Sequence, residues 1–276
     1  MRPGSQRHTP LARQPLLFVG LVGALCVGLL ACAGSLAERA KNGEVAAQRE
    51  LGRSFLGATP TDLEADTKPR DSAADREAAY WLRRAAKQRD PTAQRLLAEL
   101  YYRGQGVSQD FGKAEHWARL AADSGDAEAQ GFLGGLYRLG RGVPPDLKEA
   151  ILWYRRAAEQ GHAASEFHLA AAYDFGAGVE ANLETARSLY TRAADQGHHQ
   201  AQYNLAISYL VDPREAPAPA MGLKWLFIAS RTGSLQASEK LLEVRRVYRG
   251  EDLAKAHRMA RSWLDARGIP ELRASE

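Results

Sequence analysis

The chain has 276 residues, with 37 Lys and Arg against 33 Asp and Glu, a net charge of +4 and only two cysteines. Both cysteines, Cys26 and Cys32, lie near the N-terminus, so the rest of the chain has no thiol for a disulfide, a cysteine metal site or a cysteine nucleophile. Setting aside Arg2, Arg7 and Arg13 lowers the charge by three, to about +1, and no basic patch interleaved with stacking aromatics argues for nucleic acid.

Those three arginines precede an apolar run from Leu16 to Leu30, which ends in the small residues Ala31-Cys32-Ala33-Gly34-Ser35. A charged start followed by a short apolar stretch is the pattern of an export signal, and the run falls short of the roughly 20 residues that a spanning helix needs. Residues 1–31 are therefore expected to be a signal peptide and 32–39 a linker. Leu29-Leu30-Ala31-Cys32 resembles the bacterial lipobox, which implies a lipid on Cys32 and attachment to a membrane through it. Because Ala33 and not aspartate follows, the resemblance further implies sorting to the outer membrane, facing the periplasm. An ordinary cut after Ala33, with Ala31 and Ala33 forming an A-x-A site, fits the same residues and would release a soluble periplasmic protein.

Beyond the linker, Trp81, Trp117 and Trp153 recur every 36 residues, and two further steps lead through Leu189 to Trp225. Leu97, Leu133, Leu169 and Leu205 keep that spacing, as do Tyr101, Tyr137, Tyr173 and Tyr209 and the alanine pairs beginning at Ala85, Ala121, Ala157 and Ala193. Self-similarity at such a period predicts a repeat array, in which each unit buries its apolar face against its neighbours. In the unit starting at Ala127, Ala129, Leu133 and Tyr137 line one face of a first helix, and Gly134 lets a neighbour approach closely. Gly140 and Gly142 then supply a permissive turn, Asp146 starts a second helix over Lys148–Glu159, and Gly161 ends it.

Five units are expected at 40–90, 91–126, 127–162, 163–198 and 199–234. The first contains a polar loop about ten residues longer than the others, from Pro60 to Asp71. The fifth places Asp212 and Arg214 where the others have turn glycines. Residues 235–276 read as a closing pair of helices, 236–248 and 251–266, with Lys255, Arg258, Arg261 and Arg267 facing water. The fold class is all-α, an α/α superhelical solenoid of about five helix-turn-helix repeats and a C-terminal capping pair.

The unit from Ala127 resembles the Sel1-like repeat, a tetratricopeptide relative. It matches at Ala129, Leu133, Gly134, Tyr137, Gly140, Gly142, Val143, Asp146, Lys148, Ala150, Trp153, Tyr154, Ala157, Ala158 and Gly161. The resemblance implies a right-handed superhelix that binds proteins or peptides, often as an adaptor in signalling, secretion or envelope assembly. A cysteine-rich branch of the family is linked to penicillin binding, but this chain lacks those cysteines.

Candidate chemistry is sparse. The pairs Gly104/Gly106, Gly140/Gly142 and Gly176/Gly178 superficially suggest phosphate loops, yet no strand precedes them, so they are read as turns. His162 and His198 sit a whole repeat apart at helix ends and are read with His199 as solvated, with no metal site. Glu166 and His168 cannot share a helix face. The tryptophans are read as core. No cofactor and no catalytic residue is expected.

By analogy with tetratricopeptide grooves, the binding residues are expected on first helices: Arg49 and Arg53, Arg95, Glu99 and Tyr102, Arg138, Phe167 and Asp174, and Tyr203. Arginine and exposed aromatic side chains suit a protein or peptide partner. The function expected is a non-enzymatic periplasmic scaffold. Alternatives are an assembly factor for exopolysaccharide export or secretion, a cell-wall or β-lactam hydrolase, and a secreted effector that engages host proteins.

Overall fold

The computed structural model describes residues 36–56, 71–211, 219–248 and 250–269, and every regular element among them is a helix. The expected signal peptide, Cys32, most of the long loop of the first unit and Asp212-Pro213-Arg214 lie outside the described residues. A short helix α1 (36–41) precedes the array and was not anticipated from the repeat pattern. The five repeats then follow as pairs: α2 (Val45–Ser54) with α3 (Ala73–Lys87), α4 (Pro91–Arg103) with α5 (Phe111–Asp123), α6 (Ala127–Leu139) with α7 (Leu147–Glu159), α8 (Ala163–Phe175) with α9 (Leu183–Asp195), and α10 (His199–Val211) with α11 (Pro219–Arg231). Helices α12 (Leu235–Val244) and α13 (Glu251–Asp265) close the chain. We call the first helix of each pair A and the second B.

Local sequence sets these boundaries. Asp90 and Asp126 accept the backbone N–H groups of Ala93 and Ala129 at 2.8 Å, satisfying donors that the first turns of α4 and α6 leave over. Asp110, Asp146 and Asn182 do the same for the B helices α5, α7 and α9. Gly104, Gly140 and Gly176 end α4, α6 and α8 in the left-handed conformation that side chains resist.

The loop glycines also set how repeats stack. At Gly142, φ is 82°, and a Cβ there would lie 2.1 Å from the carbonyl oxygen of Phe111, in the first turn of the preceding B helix. The turn of one repeat therefore rests directly on the backbone of the repeat before it. Gly134 has the close approach expected of it: a Cβ would meet the Tyr154 ring at 2.8 Å, so α6 and α7 pack tightly.

Each helix packs on the next in chain order, A on B within a repeat and B on the following A between repeats. The 36-residue lattice fills these seams. Leu97, Leu133 and Leu205 have no exposed surface, the alanine pairs are buried, and Trp81, Trp153 and Trp225 are buried at 8%, 5% and 1% exposure. These three are thus core, each contributing roughly 1.5–3 kcal/mol by burial, while Trp117 is only partly buried against the same core. At the C-terminal end, both α12 and α13 pack on α11. There Trp263 meets Trp225 edge-on at 5.8 Å, and its indole N–H donates to Asp195 Oδ1 at 2.9 Å.

Candidate protein-interaction surface

The A helices form a row in which the same lattice position recurs from repeat to repeat, and the predicted binding residues fall on three of these positions. Arg49, Arg95, Phe167 and Tyr203 share one, with Gly131 in the third repeat. Arg53 and Glu99 share a second; Tyr102, Arg138 and Asp174 share a third. What the structure adds is their partners.

Arg49 reaches Asp90 at 2.7 Å, and Arg95 lies 3.6 Å from Asp126 and 2.9 Å from Glu128. Asp90 and Asp126 are the N-cap residues of the next A helix, so an arginine at this position ties its repeat to the start of the following one. In the third repeat the position is Gly131 and the next cap is His162. A Cβ on Gly131 would meet the His162 ring at 2.8 Å, so the absent side chain makes room for the imidazole. In the fourth, Phe167 stacks on the cap residue His198 with ring centroids 4.7 Å apart. Charge against charge, space against ring and ring against ring are three solutions to one contact. These candidates serve inter-repeat packing first.

The expected exposure of Tyr102 does not hold. Its ring is buried between Phe111 and Phe132, at centroid distances of 5.3 and 5.5 Å, and Arg141 of the next repeat reaches its hydroxyl. The seam between α4, α5 and α6 is wide enough to take a ring, and sequence spacing alone does not reveal that width. The histidines are also not simply solvated. His162 and His198 are half-buried N-caps, and burial lowers the pKa of both below the usual imidazole value. His198 Nδ1 accepts from the Ala201 N–H, and His162 Nδ1 contacts Ser165 Oγ at 2.9 Å. His199 is exposed, in line with expectation.

Of the remaining candidates, Glu99 is largely buried beside Arg95 at 2.7 Å, and burial raises its carboxyl above the usual range despite that cation. Arg138 donates to the Tyr154 hydroxyl at 3.3 Å; one repeat later Asp174 accepts from the Tyr190 hydroxyl at the same distance. Arg53 is exposed and Tyr203 half-exposed.

A second polar lattice was not recognised in the sequence. Gln48, Gln94, Gln130 and Gln202 are buried, and each donates Nε2 to a carbonyl eight residues earlier, at Ala40, Ala86, Ala122 and Ala194, over 3.0–3.2 Å. From the second repeat on, these bonds cross-link an A helix to the end of the preceding B helix. The fourth repeat breaks the series with Glu166, which cannot donate. There Arg192 takes over, donating to the Ala158 carbonyl at 2.6 Å while pairing with Glu166 at 2.5 Å. Desolvation still raises the Glu166 carboxyl above its ordinary range, against the pull of Arg192. Gln94 and Gln130 stand one period of 36 residues apart and Gln202 two periods further on, so the signal was present in the sequence; their partner carbonyls could be named only from the fold.

Among the described residues, no group of three His, Cys, Asp or Glu side chains is gathered to hold a metal ion. What the array offers is a long helical surface with a repeating frame and side chains that change from unit to unit.

Comparison with known proteins agrees with this architecture. The family model described as Sel1 repeat matches residues 45–90, 91–126, 127–162, 163–198 and 199–233. A solved Sel1 repeat protein from Oxalobacter formigenes is 29% identical, superposes with a TM-score of 0.63, and is matched over 82% of this chain and 88% of its own. A protective antigen of uropathogenic Escherichia coli displaying an SLR fold, c5321, is 22% identical with a TM-score of 0.56, over 87% of this chain and 67% of its own. No curated protein sequence matches significantly. With five repeats matched over most of its length and the same helical frame in solved relatives, the chain belongs to the Sel1 repeat family.

Proposed function

We propose that this protein is a non-enzymatic scaffold on the periplasmic side of a bacterial envelope, which binds a protein or peptide along the row of A helices. A Sel1 repeat array is a frame for protein–protein interaction. The observation that carries the more specific reading is the drift in character along one lattice position. Arg49 and Arg95 open the row and Phe167 and Tyr203 close it, on a frame that otherwise repeats. Because Arg49 and Arg95 are paired with carboxylates of the array itself, that end offers a polar surface and not free charge, and the rings offer an aromatic one; such a gradient suits a chain-like partner laid along the helices.

The exposed Arg53 and the half-exposed Tyr203 give the test. Arg53→Glu and Tyr203→Ala combined should lower recovery of partners in in vivo crosslinking followed by mass spectrometry by about tenfold, with the helical circular dichroism unchanged. Unchanged recovery from the doubly substituted protein would sink the A-row assignment. For location, the reading is a lipid on Cys32 holding the protein at the outer membrane. Palmitate labelling of the wild type that disappears in Cys32→Ser is the expected result; an unlabelled wild type overturns it.

A further inference from the structure

The fourth repeat departs from the tryptophan lattice with Leu189, and this residue lines an open cleft of about 390 Å³. Ala158, Leu169, Tyr173 and Leu189 supply its apolar lining, and around them stand two arginines, Arg155 and Arg192, two glutamates, Glu159 and Glu184, and the hydroxyls of Thr185 and Ser188. One repeat earlier, the counterparts of the three apolar lining residues other than Leu189 are Ala122, Leu133 and Tyr137. They fall in a single apolar cluster that contains Trp153. One repeat later, Ala194, Leu205 and Tyr209 likewise belong with Trp225. The residues that pack around an indole in the neighbouring repeats are thus kept around the smaller Leu189.

The polar surroundings are kept as well. Arg155 donates to the Tyr173 hydroxyl at 3.3 Å, as Arg119 does to Tyr137 at 2.7 Å and Arg83 to Tyr101 at 3.0 Å. Arg156 lies 4.5 Å from the ring centre of Trp153, and Lys224 lies 4.3 Å from that of Trp225. Arg192 is the lattice counterpart of Arg156. It is half exposed, and Glu166 and the Ala158 carbonyl hold it at the cleft. A guanidinium beside a cleft of mixed polarity, with apolar residues on one side, favours an amphipathic aromatic ring such as indole over an aliphatic group. Size permits it, since a buried apolar cavity of about 150 Å³ already admits benzene.

We propose that this cleft is an acceptor site for a tryptophan side chain on a partner polypeptide, which supplies in trans the indole that the fourth repeat omits. The site lies between α7, α8 and α9 and does not depend on the A-row reading above. Either can fail while the other stands.

The probe is N-acetyl-tryptophanamide, a tryptophan with a peptide bond on each side, added to methyl-labelled protein. In NMR titration it should shift the Leu169 and Leu189 methyl resonances saturably in the millimolar range, and N-acetyl-leucinamide should bind at least about tenfold more weakly. Leu189→Trp rebuilds the lattice and should weaken binding of the probe by more than about tenfold while raising the melting temperature. Thr185→Phe, a change in the cleft lining, should also reduce binding and covers the case in which Leu189→Trp fails to fold. An absence of saturable shifts in the wild type overturns the proposal. So do equal binding of the leucine derivative and binding unchanged in the folded variants.

Discussion

The buried glutamines show how much a single side chain contributes to this array. Gln130 donates to the Ala122 carbonyl and its Oε1 accepts from Gln160 Nε2 at 2.8 Å, so both of its polar ends are used inside the seam. In the second repeat the donor position is Ser124, whose hydroxyl turns to its own Leu120 carbonyl, and Gln94 Oε1 is left without a partner. Gln130→Ala should therefore cost about 1–3 kcal/mol in urea denaturation, because it strands the Ala122 carbonyl and the Gln160 amide. Gln94→Ala should cost less, since only one bond is lost. Two cap histidines add a pH dependence. His162 and His198 have folded pKa values lowered by burial from the ordinary 6.5, so the native state binds fewer protons than the unfolded chain below that pH. Their contribution is intact above about pH 6.5 and is lost as pH falls towards and through the lowered folded values. The denaturation midpoint should therefore drop between pH 7 and 5, and a His162→Asn, His198→Asn protein should show a flatter profile over that window. An unchanged slope would count against the role assigned to burial.

At the scale of elements, the turn glycines separate two kinds of constraint. Gly142 and Gly161 both have φ near 80°, so any L side chain is strained at either position. At Gly161 nothing lies within 4 Å of an added Cβ, whereas at Gly142 the Phe111 carbonyl oxygen blocks it at 2.1 Å. Gly161→Ala should cost about 1 kcal/mol, the price of the left-handed conformation alone. Gly142→Ala should cost about 2 kcal/mol or more, because the turn must also lift off α5. Thermal denaturation of the two variants side by side measures the difference. Equal losses would mean that the seam between α5 and the following turn is softer than its geometry suggests. The caps belong to the same scale. Aspartate or asparagine before helices α4 to α7 and α9, and glycine after α4, α6 and α8, were readable directly, since capping depends on neighbours within one turn.

For the whole molecule, stability passes from neighbour to neighbour along the stack, so the ends matter as much as the middle. Helices α12 and α13 cover the outer side of α11, where Trp225 and Phe227 are buried and Trp263 bridges back to Asp195 of the fourth repeat. Deleting residues 250–276 should expose that face, lowering the melting temperature by several degrees and increasing binding of an apolar dye. A truncated protein that melts like the full chain and binds no dye would show that the array closes itself without them.

The architecture was legible because a 36-residue period carries its own instructions. Alanine, leucine, tyrosine and tryptophan at fixed offsets state which face of each helix is apolar, and glycine and aspartate state where helices stop and start. These are local properties of residue type, and the helical repeats follow them. Among the candidate binding residues, the sequence identified the lattice positions but not their occupation. Arg49 and Asp90 are 41 residues apart and Arg141 and Tyr102 are 39 apart, distances over which only the stacking of repeats determines contact. Hence Tyr102, which looks like an accessible ring on a helix, is buried, while a single leucine at position 189 marks a cleft. Residue types and their spacing determined that this is a five-repeat helical array. Tertiary packing decided which side chains are spent holding it together and which space stays open, because both depend on neighbours supplied by the adjacent repeat.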